Sequence, residues 1–242
     1  MFEASKPQAK TNHEDEKQEF LAIISHELKT PLTDVKNYLS MILEGEVGPV
    51  SDEVKEYVAQ AYTANDYLIR LVDRLTKVAK MRSGHIQIKL ARVNLSQEIK
   101  LILNNFKTPA FDKGQTLKYV MPEKEIWVKA DYDSVWEILI NLLSNALKFT
   151  PKGGLIMVSL RLKDGQVIVD IKDNGPGIKK ENQTRIFEIF NKVNSGTTQD
   201  AEGTGVGLYL AKELAQMQNG KLFLSYSEPG LGSVFSLSLP LD

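Results

Sequence analysis

The chain has 242 residues, of which 42% are hydrophobic and 25% are charged, and its net charge is −1 at pH 7. This length predicts one or two domains with a sizeable core, and the composition excludes a chain that is disordered throughout. The near-zero charge gives no general attraction to nucleic acid or to anionic membranes, and the absence of cysteine excludes disulfides and thiolate chemistry.

Residues 1–13 form a polar lead-in that lacks the apolar core of a signal peptide. No later run approaches the roughly 20 apolar residues that a membrane-spanning helix needs. We therefore expect a soluble chain. Because the lead-in does not look like a domain start, two interpretations stay open: a free protein, or the cytoplasmic part of something longer.

Residues 14–82 predict an antiparallel hairpin of two long helices. In the first helix, apolar residues recur at spacings of three and four, with Pro31 filling the missing step: Leu21, Ile24, Leu28, Val35, Tyr38 and Ile42. Residues 45–49 interrupt this pattern, and Ser51 is a suitable cap for the second helix. The apolar surface exceeds one narrow seam, so we expect two hairpins to pair as a homodimeric four-helix bundle.

Two polar residues of the hairpin have positions that this pattern defines. If Leu21 opens the heptad at its first core position, His26 falls on the outermost position and is available as a nucleophile. Asn65 falls on the seam of the second helix. It is either a device that fixes the register or an ordinary satisfied polar residue.

Residues 83–90 are predicted to form a linker, and residues 91–242 mix strands with helices. Helices are expected at 95–106, 131–149 and 208–218, with Asn94 and Asp131 as caps of the first two. Strands are expected at 117–121, 126–129, 156–162, 167–172, 221–227 and 233–239. Phe187 and Phe190 are assigned to a short helix. This order predicts an α/β two-layer sandwich after the helical hairpin.

The predicted helix 131–149 carries Asn141, Asn145 and Lys148 at positions i, i+4 and i+7, apart from its apolar face. Amide oxygens suit a hard cation such as Mg²⁺, and a lysine one turn further along suits phosphate. A solvated polar face is the competing interpretation of this spacing alone.

Two glycine-rich runs could approach a ligand closely. In residues 173–178, Asp173 ends a strand and could accept a hydrogen bond from a purine amino group, while Gly175 and Gly177 permit close backbone approach; alone, the run is a turn. The second run opens a helix, where small residues and free N–H groups make an anion site. Its members are Gly203, Thr204, Gly205, Val206, Gly207 and Leu208, and their spacing is not that of a P-loop.

Considered together, these runs give the chain a clear resemblance to the sensor histidine kinases of two-component signalling. Residues 26–32 match the phosphoacceptor box of that family, and Asn141 through Lys148 match its N box. The first glycine box is matched at 173–178, the phenylalanine box at 186–190 and the second glycine box at 203–208. Five motifs occur in the family's order, and the resemblance covers roughly residues 15 to 240.

The resemblance implies a dimerising hairpin that displays the phosphoacceptor histidine. His26 would attack the γ-phosphorus of ATP, and Glu27 would orient the imidazole and accept its proton. Thr30, one turn beyond His26, would position water for dephosphorylation of a partner regulator. Residues 91–242 would then be a catalytic ATP-binding domain with the Bergerat fold.

For the nucleotide, the resemblance implies roles that can be carried over residue by residue. Asn145 would bind Mg²⁺ with Asn141 near the phosphates, Lys148 would pair with phosphate oxygens, and Asp173 would bind the adenine amino group. Residues 191–204 look like a lid, and Lys192 falls where the family often places a basic residue near the γ-phosphate, although lysine lacks the fork of arginine. Gly205 and Gly207 would face the phosphates.

The implied partners are a second copy of the chain and the receiver domain of a response regulator, with no nucleic acid. The implied location is the cytoplasm, as a free protein or as the cytoplasmic portion of a membrane-bound sensor. An ATPase of the topoisomerase or heat-shock chaperone type is disfavoured, because those enzymes use a glutamate where this chain has Asn141. A non-catalytic scaffold would have lost Asn145, Asp173 or the glycines. A member in which phosphatase activity dominates stays open.

Overall fold

The computed structural model describes residues 11–191 and 204–242, with side chains described from residue 24 onward except at position 26. The chain divides into two compact units, Met1–Gln87 and Ile88–Asp242. Within the described ranges, no helix has both the length and the apolar character that a bilayer span requires.

The first unit is the predicted helical hairpin, formed by α1 (Thr11–Glu44) and α2 (Asp52–Arg82). Gly45 and Gly48 adopt φ values of 80° and 105°, which glycine tolerates best, in the turn between the helices. Ser51 then caps α2, because its side chain accepts a hydrogen bond from the N–H of Val54 at 3.3 Å. α1 continues through Pro31 as one helix.

The phase assigned to the seam of α1 is wrong for contacts within the hairpin. Leu28, Val35 and Tyr38 are 47%, 45% and 66% exposed, whereas Ser25, one position after a predicted seam residue, is buried. Because α1 has apolar residues on two adjacent faces, spacing alone does not decide which face meets α2. The face assigned to the seam is instead left uncovered in a single chain.

Polar contacts hold the two helices together near the middle of the hairpin. Asn65 is buried, and its Nδ2 donates to the carbonyl oxygen of Leu32 at 2.8 Å. Lys36 Nζ lies 2.6 Å from Asp66 Oδ1, and this hydrogen bond raises the pKa of Lys36 and lowers that of Asp66. Asn65 is therefore a satisfied polar residue that links α1 to α2.

The second unit is built on strands whose bounds are β1 (Ala91–Asn94), β2 (Thr116–Val120), β3 (Trp127–Ala130), β4 (Leu155–Lys163), β5 (Gln166–Asp173), β6 (Lys221–Glu228) and β7 (Gly232–Pro240). Five of them form one sheet with the order β2-β4-β5-β7-β6. In this sheet β2 and β4 are parallel, whereas the other neighbours are antiparallel. A separate antiparallel pair joins β1 to β3, with Ala91 opposite Ala130.

Three helices form the second layer of this unit: α3 (Leu95–Asp112), α4 (Tyr132–Phe149) and α5 (Gly207–Met217). They pack in the order α3, α4, α5, and α4 and α5 also contact the central strands. Alternate residues of those strands supply the core, as their period of two requires. The fully buried residues include Ile156, Val158, Val167, Val169, Leu237 and Leu239. The predicted fold class, a helical hairpin followed by an α/β two-layer sandwich, is confirmed.

The predicted caps of α3 and α4 are confirmed. Asn94 Oδ1 accepts from the N–H of Gln97 at 3.1 Å, and Asp131 Oδ1 accepts from the N–H of Ser134 at 2.8 Å. α3 runs six residues beyond its predicted end, through Pro109. The hydrogen bond that proline removes would have gone to the carbonyl of Asn105, which lies on an exposed part of the helix.

The short helix that was assigned to both Phe187 and Phe190 is wrong for Phe190. A 3-10 turn covers Arg185–Phe187, and the Phe187 ring meets Phe235 edge-on at 6.4 Å. Phe190 lies beyond that turn with φ 62° and is 57% exposed. Its backbone is held there because its N–H donates to the carbonyl oxygen of Gly205 at 2.9 Å.

Candidate functional site

Asp173 ends β5 with its side chain buried, 6% exposed. Its Oδ1 accepts from the N–H of Gly175 at 2.9 Å, and the N–H of Ser233 in β7 also donates to the carboxylate. Burial raises the pKa of the Asp173 carboxyl above its ordinary value, while the two backbone N–H groups act in the opposite direction. The carboxylate is thus fixed by two segments and is suited to accept a further hydrogen bond.

Glycines let three backbone segments pack closely against residues 173–177, which include Asp173. A Cβ at Gly175 would lie 2.8 Å from the carbonyl oxygen of Phe149, so the turn after Asp173 contacts the end of α4. A Cβ at Gly177 would lie 2.0 Å from the carbonyl oxygen of Glu228, and one at Gly232 would lie 2.0 Å from that of Asp173. Real side chains cannot occupy such positions, so the close approach depends on glycine.

The end of α4 that contacts this turn carries the other predicted side chains. Asn145 and Lys148 are half-buried in the last two turns of α4, and Lys148 Nζ lies 4.7 Å from the centre of the Phe149 ring. Asn141, one turn earlier, is buried, and its Nδ2 donates to the carbonyl oxygen of Glu137 at 2.9 Å. That hydrogen bond uses the amide nitrogen of Asn141 and not its Oδ1, which is the atom that could bind a metal ion.

The start of α5 lies toward the same end of α4. At the opposite ends of these helices, the N–H of Asp131, which precedes α4, donates to Oε1 of Gln218, which follows α5, at 3.1 Å. Since α4 and α5 pack side by side, their antiparallel course places Gly207, the first residue of α5, alongside the later half of α4. The asparagines, the Asp173 carboxylate and the described part of the second glycine run, residues 204–208, are therefore brought into one region.

Around the start of α5, the described residues are tightly packed. Thr204 and Val206 are buried, Leu208 is half-buried, and Thr204 Oγ1 accepts from the N–H of Val206 at 3.4 Å. Gly205 has φ 69°, and a Cβ there would meet the backbone of Phe190 at 2.9 Å. No side chain among the described residues caps α5, so its first N–H groups retain the character of an anion site.

These residues fit a magnesium nucleotide in chemical type. Asp173 supplies a buried acceptor for a base amino group, and the close backbone approach at Gly175 and Gly177 supplies a glycine-lined cradle beside it. Asn145 supplies an amide oxygen of the kind that magnesium binds, while Lys148 and the start of α5 supply positive charge for phosphates.

On the hairpin, the described residues near position 26 are anchored to α2. Glu27 and Thr30 are exposed on α1. Between them, Lys29 Nζ lies 2.7 Å from Asp73 Oδ1 of α2. The side chain of His26 lies outside the described residues, as do Lys192 and Gly203, so their predicted places stay predictions.

Sequence reasoning missed two residues of the nucleotide region. Ser233 donates its N–H to Asp173, and Gly232 has φ 97° where it passes under the Asp173 carbonyl. Both follow the turn 229–231, whose proline and glycine signal a bend but not what the bend contacts. That contact arises only when β7 pairs with β5 in the observed register, with Asp173 opposite Ser233.

Two family models match the chain, one in each unit. Residues 16–84 match the His Kinase A (phospho-acceptor) domain. Residues 130–242 match the family of histidine kinase-, DNA gyrase B-, and HSP90-like ATPases. Both matches fall on the segments that carry the motifs described above.

Curated relatives match across both units. The sensor histidine kinase TmoS of Ectopseudomonas mendocina is 36% identical over 227 residues, which cover 93% of this chain and 23% of TmoS. The sensor histidine kinase WalK of Bacillus subtilis is 30% identical over 231 residues, which cover 94% of this chain and 37% of WalK. The chain therefore spans well under half the length of these relatives.

Known structures give the same picture of the fold. Full-length ShkA in complex with AMPPNP superposes with a TM-score of 0.77 and 27% identity, covering 93% of this chain and 46% of ShkA. The histidine kinase AdeS of Acinetobacter baumannii superposes with a TM-score of 0.63 over 90% of this chain and 98% of its own. At 19% identity, AdeS supports the fold alone.

Proposed function

The chain belongs to the sensor histidine kinases and carries their catalytic core, and from this premise we propose that it uses ATP to phosphorylate its own His26. The observation that carries the proposal is the convergence of Asp173, the glycine turns and the end of α4 in the ATPase-like unit. A phosphoacceptor hairpin precedes that unit in the same chain. A hydrolase without a phosphohistidine would have no use for that hairpin.

In the proposed reaction, a ring nitrogen of His26 attacks the γ-phosphorus of ATP. The new P–N bond forms as the bond between the γ-phosphorus and the bridging oxygen breaks, and ADP leaves. Glu27 accepts the imidazole proton. Phosphoryl transfer needs positioning and charge stabilisation more than covalent chemistry by the protein, and Lys148 and the start of α5 supply positive charge.

Nucleotide and metal are held by different residues in this proposal. Asp173 accepts a hydrogen bond from the adenine amino group, which orients the base against Gly175 and Gly177. Asn145 would hold the magnesium ion, with Asn141 near the phosphates, and the ion would neutralise phosphate charge. The phosphates would be surrounded by the second glycine run, which consists of Gly203, Thr204, Gly205, Val206, Gly207 and Leu208. Lys192 would lie beside the phosphates.

The phosphoryl group then passes to an aspartate of a response regulator's receiver domain, with cleavage of the P–N bond and formation of a P–O bond. Thr30 is exposed one turn after His26, where its hydroxyl can orient water toward a phosphorylated regulator. We extend the proposal to phosphatase activity on that ground. Because ATP is the phosphoryl donor, we place the reaction in the cytoplasm.

The active form in this proposal is a homodimer through the hairpin. Large apolar residues that are 44% to 66% exposed lie on both α1 and α2: Leu28, Val35, Tyr38, Val54, Tyr57 and Leu68. A lone helical hairpin that leaves so much apolar surface in water is the situation that bundle formation resolves.

Incubation with γ-labelled ATP and Mg²⁺ tests the proposed nucleotide site. We expect Asn145→Ala to remove labelling, because the amide oxygen that binds the cation is lost, while light scattering still reports a dimer. Asn104→Ala is the matched control, since Asn104 is an exposed asparagine of α3, and it should label as the wild type does. Full labelling of Asn145→Ala would remove Asn145 from the metal site.

A further inference from the structure

Gln115 lies between α3 and β2, outside every motif of the family, yet its side chain reaches the C-terminal end of α4. It is 8% exposed, and its Nε2 donates to the carbonyl oxygen of Leu147 at 3.0 Å and to that of Thr150. The last carbonyls of a helix have no partner within the helix. A residue 32 positions earlier in the chain therefore caps α4.

The capped end of α4 is also a wall of the nucleotide region. Lys148 lies between Leu147 and Thr150, the two residues whose carbonyls accept from Gln115. The carbonyl oxygen of Phe149 would be 2.8 Å from a Cβ at Gly175. A shift of the backbone at residues 149–150 would therefore move the turn that donates to Asp173. The contact between Phe149 and Gly175 joins backbone to backbone, so no side chain can change its rotamer to absorb such a shift.

Further hydrogen bonds tie the same two segments together around Gln115. The N–H of Thr116 donates to the carbonyl oxygen of Gly154 at 2.8 Å, and the N–H of Gly153 donates to that of Gly114 at 2.8 Å. On the other side, Asn174 Oδ1 accepts from the N–H of Leu155 at 2.7 Å. The exit from α4 is thus held between the strand start at 114–116 and the turn after Asp173.

We propose that Gln115 is a positioning residue of the nucleotide site. By donating to two carbonyls of the exit from α4, it fixes the last turn that carries Lys148 and the wall against which Gly175 rests. It touches neither nucleotide nor metal, and it acts through the backbone of residues 147–150. This inference rests on the proposed nucleotide site.

The test compares equilibrium binding of AMPPNP with Mg²⁺ to the full chain, well below the unfolding temperature. Gln115→Met keeps a similar length but has no donor, and we expect its dissociation constant to rise about tenfold, as is typical when a supporting residue is lost. Val128→Ala is the control, because it opens a cavity at a buried position of β3, which precedes the N-terminal end of α4 and not the end that Gln115 caps. It should lower the melting temperature without changing the dissociation constant.

The amide resonance of Gly175 in the nucleotide-free protein gives a second readout, which should move in Gln115→Met and stay in place in Val128→Ala. If Gln115→Met does not fold, Gln115→Asn, which keeps the amide on a shorter stem, replaces it with a smaller expected rise. A folded variant that binds AMPPNP as tightly as the wild type overturns the inference. A wild type that does not bind AMPPNP overturns the nucleotide site and the inference with it.

Discussion

Replacement of Asp173 by asparagine separates the binding role of this carboxylate from its effect on stability. In the folded protein, the carboxylate accepts N–H groups from Gly175 and Ser233 and is almost completely buried. Asparagine has nearly the same shape but one acceptor oxygen fewer. Its amide nitrogen must face either a backbone N–H or the adenine amino group, and neither can accept a hydrogen bond.

The expected loss of affinity follows from the hydrogen bond to the charged group. Such a bond contributes about 1.5–3 kcal/mol, which corresponds to a dissociation constant for ATP raised about 10- to 150-fold. Stability should change less, because two effects oppose each other. Asparagine leaves a buried N–H without its acceptor, but it also removes a carboxylate whose charged form burial disfavours.

The dependence on pH has opposite signs for stability and for binding. Because burial raises the pKa of Asp173 above its unfolded value, the folded state holds this proton more strongly. The contribution of the group to stability therefore falls as pH rises from the ordinary carboxyl pKa through the raised one. Binding needs the ionised form, so the affinity of the wild type for ATP should fall as pH drops through the raised pKa. The affinity of Asp173→Asn should not follow that change.

Isothermal titration with AMPPNP and Mg²⁺, from the ordinary carboxyl pKa to above the raised one, measures the loss of affinity and its dependence on pH. Thermal unfolding over the same range measures stability. Asp170→Asn is the matched control: Asp170 lies on the same strand but pairs with Arg161 at 2.7 Å and with Ser236. It should alter stability and leave affinity unchanged. The reasoning would be refuted by an Asp173→Asn variant that binds AMPPNP as tightly as the wild type.

Two other substitutions test the dimer and the first glycine turn. Leu68→Glu places a charge on the exposed apolar face of α2, so light scattering should report a monomer. The control Phe111→Glu, at an 82% exposed position of α3, should leave a dimer. A Leu68→Glu variant that is still a dimer would contradict the assignment of this face of α2 to the dimer interface. Gly177→Ala puts a Cβ 2.0 Å from the Glu228 carbonyl and should abolish AMPPNP binding. The control Gly165→Ala, at a glycine with φ 73° and open space around it, should lower the free energy of unfolding by only about 1–2 kcal/mol and bind AMPPNP normally. Normal AMPPNP binding by Gly177→Ala would argue against the close approach of Gly177 to the Glu228 carbonyl.

Local signals predicted most of the fold because they act over a few residues. Ser51, Asn94 and Asp131 cap their helices as expected, since each side chain needs only an N–H three residues later. The same holds for the strands, whose alternation is visible in sequence. β1 was missed because four residues offer too little pattern, and its partner β3 lies more than thirty residues away.

Contacts between distant segments could not be predicted in this way. The face of α1 that meets α2 was not predicted, because apolar spacing does not distinguish it from the face left for a second chain. Phe190 was misassigned because its conformation depends on a hydrogen bond to Gly205, beyond residues 192–203. The support that Ser233 gives to Asp173, and that Gln115 gives to α4, likewise exists only after the sheet has formed.

The chemistry of the label on His26 tests the central claim most directly. After incubation with γ-labelled ATP and Mg²⁺, the wild type should carry a label that acid removes and alkali does not, as a phosphorylated imidazole requires. His26→Gln should carry none, whereas His85→Gln, at the exposed histidine that hydrogen-bonds Ser83 at 2.7 Å, should label fully. Label that persists on His26→Gln, or that survives acid, would contradict the assignment of this chain as a kinase of its own His26.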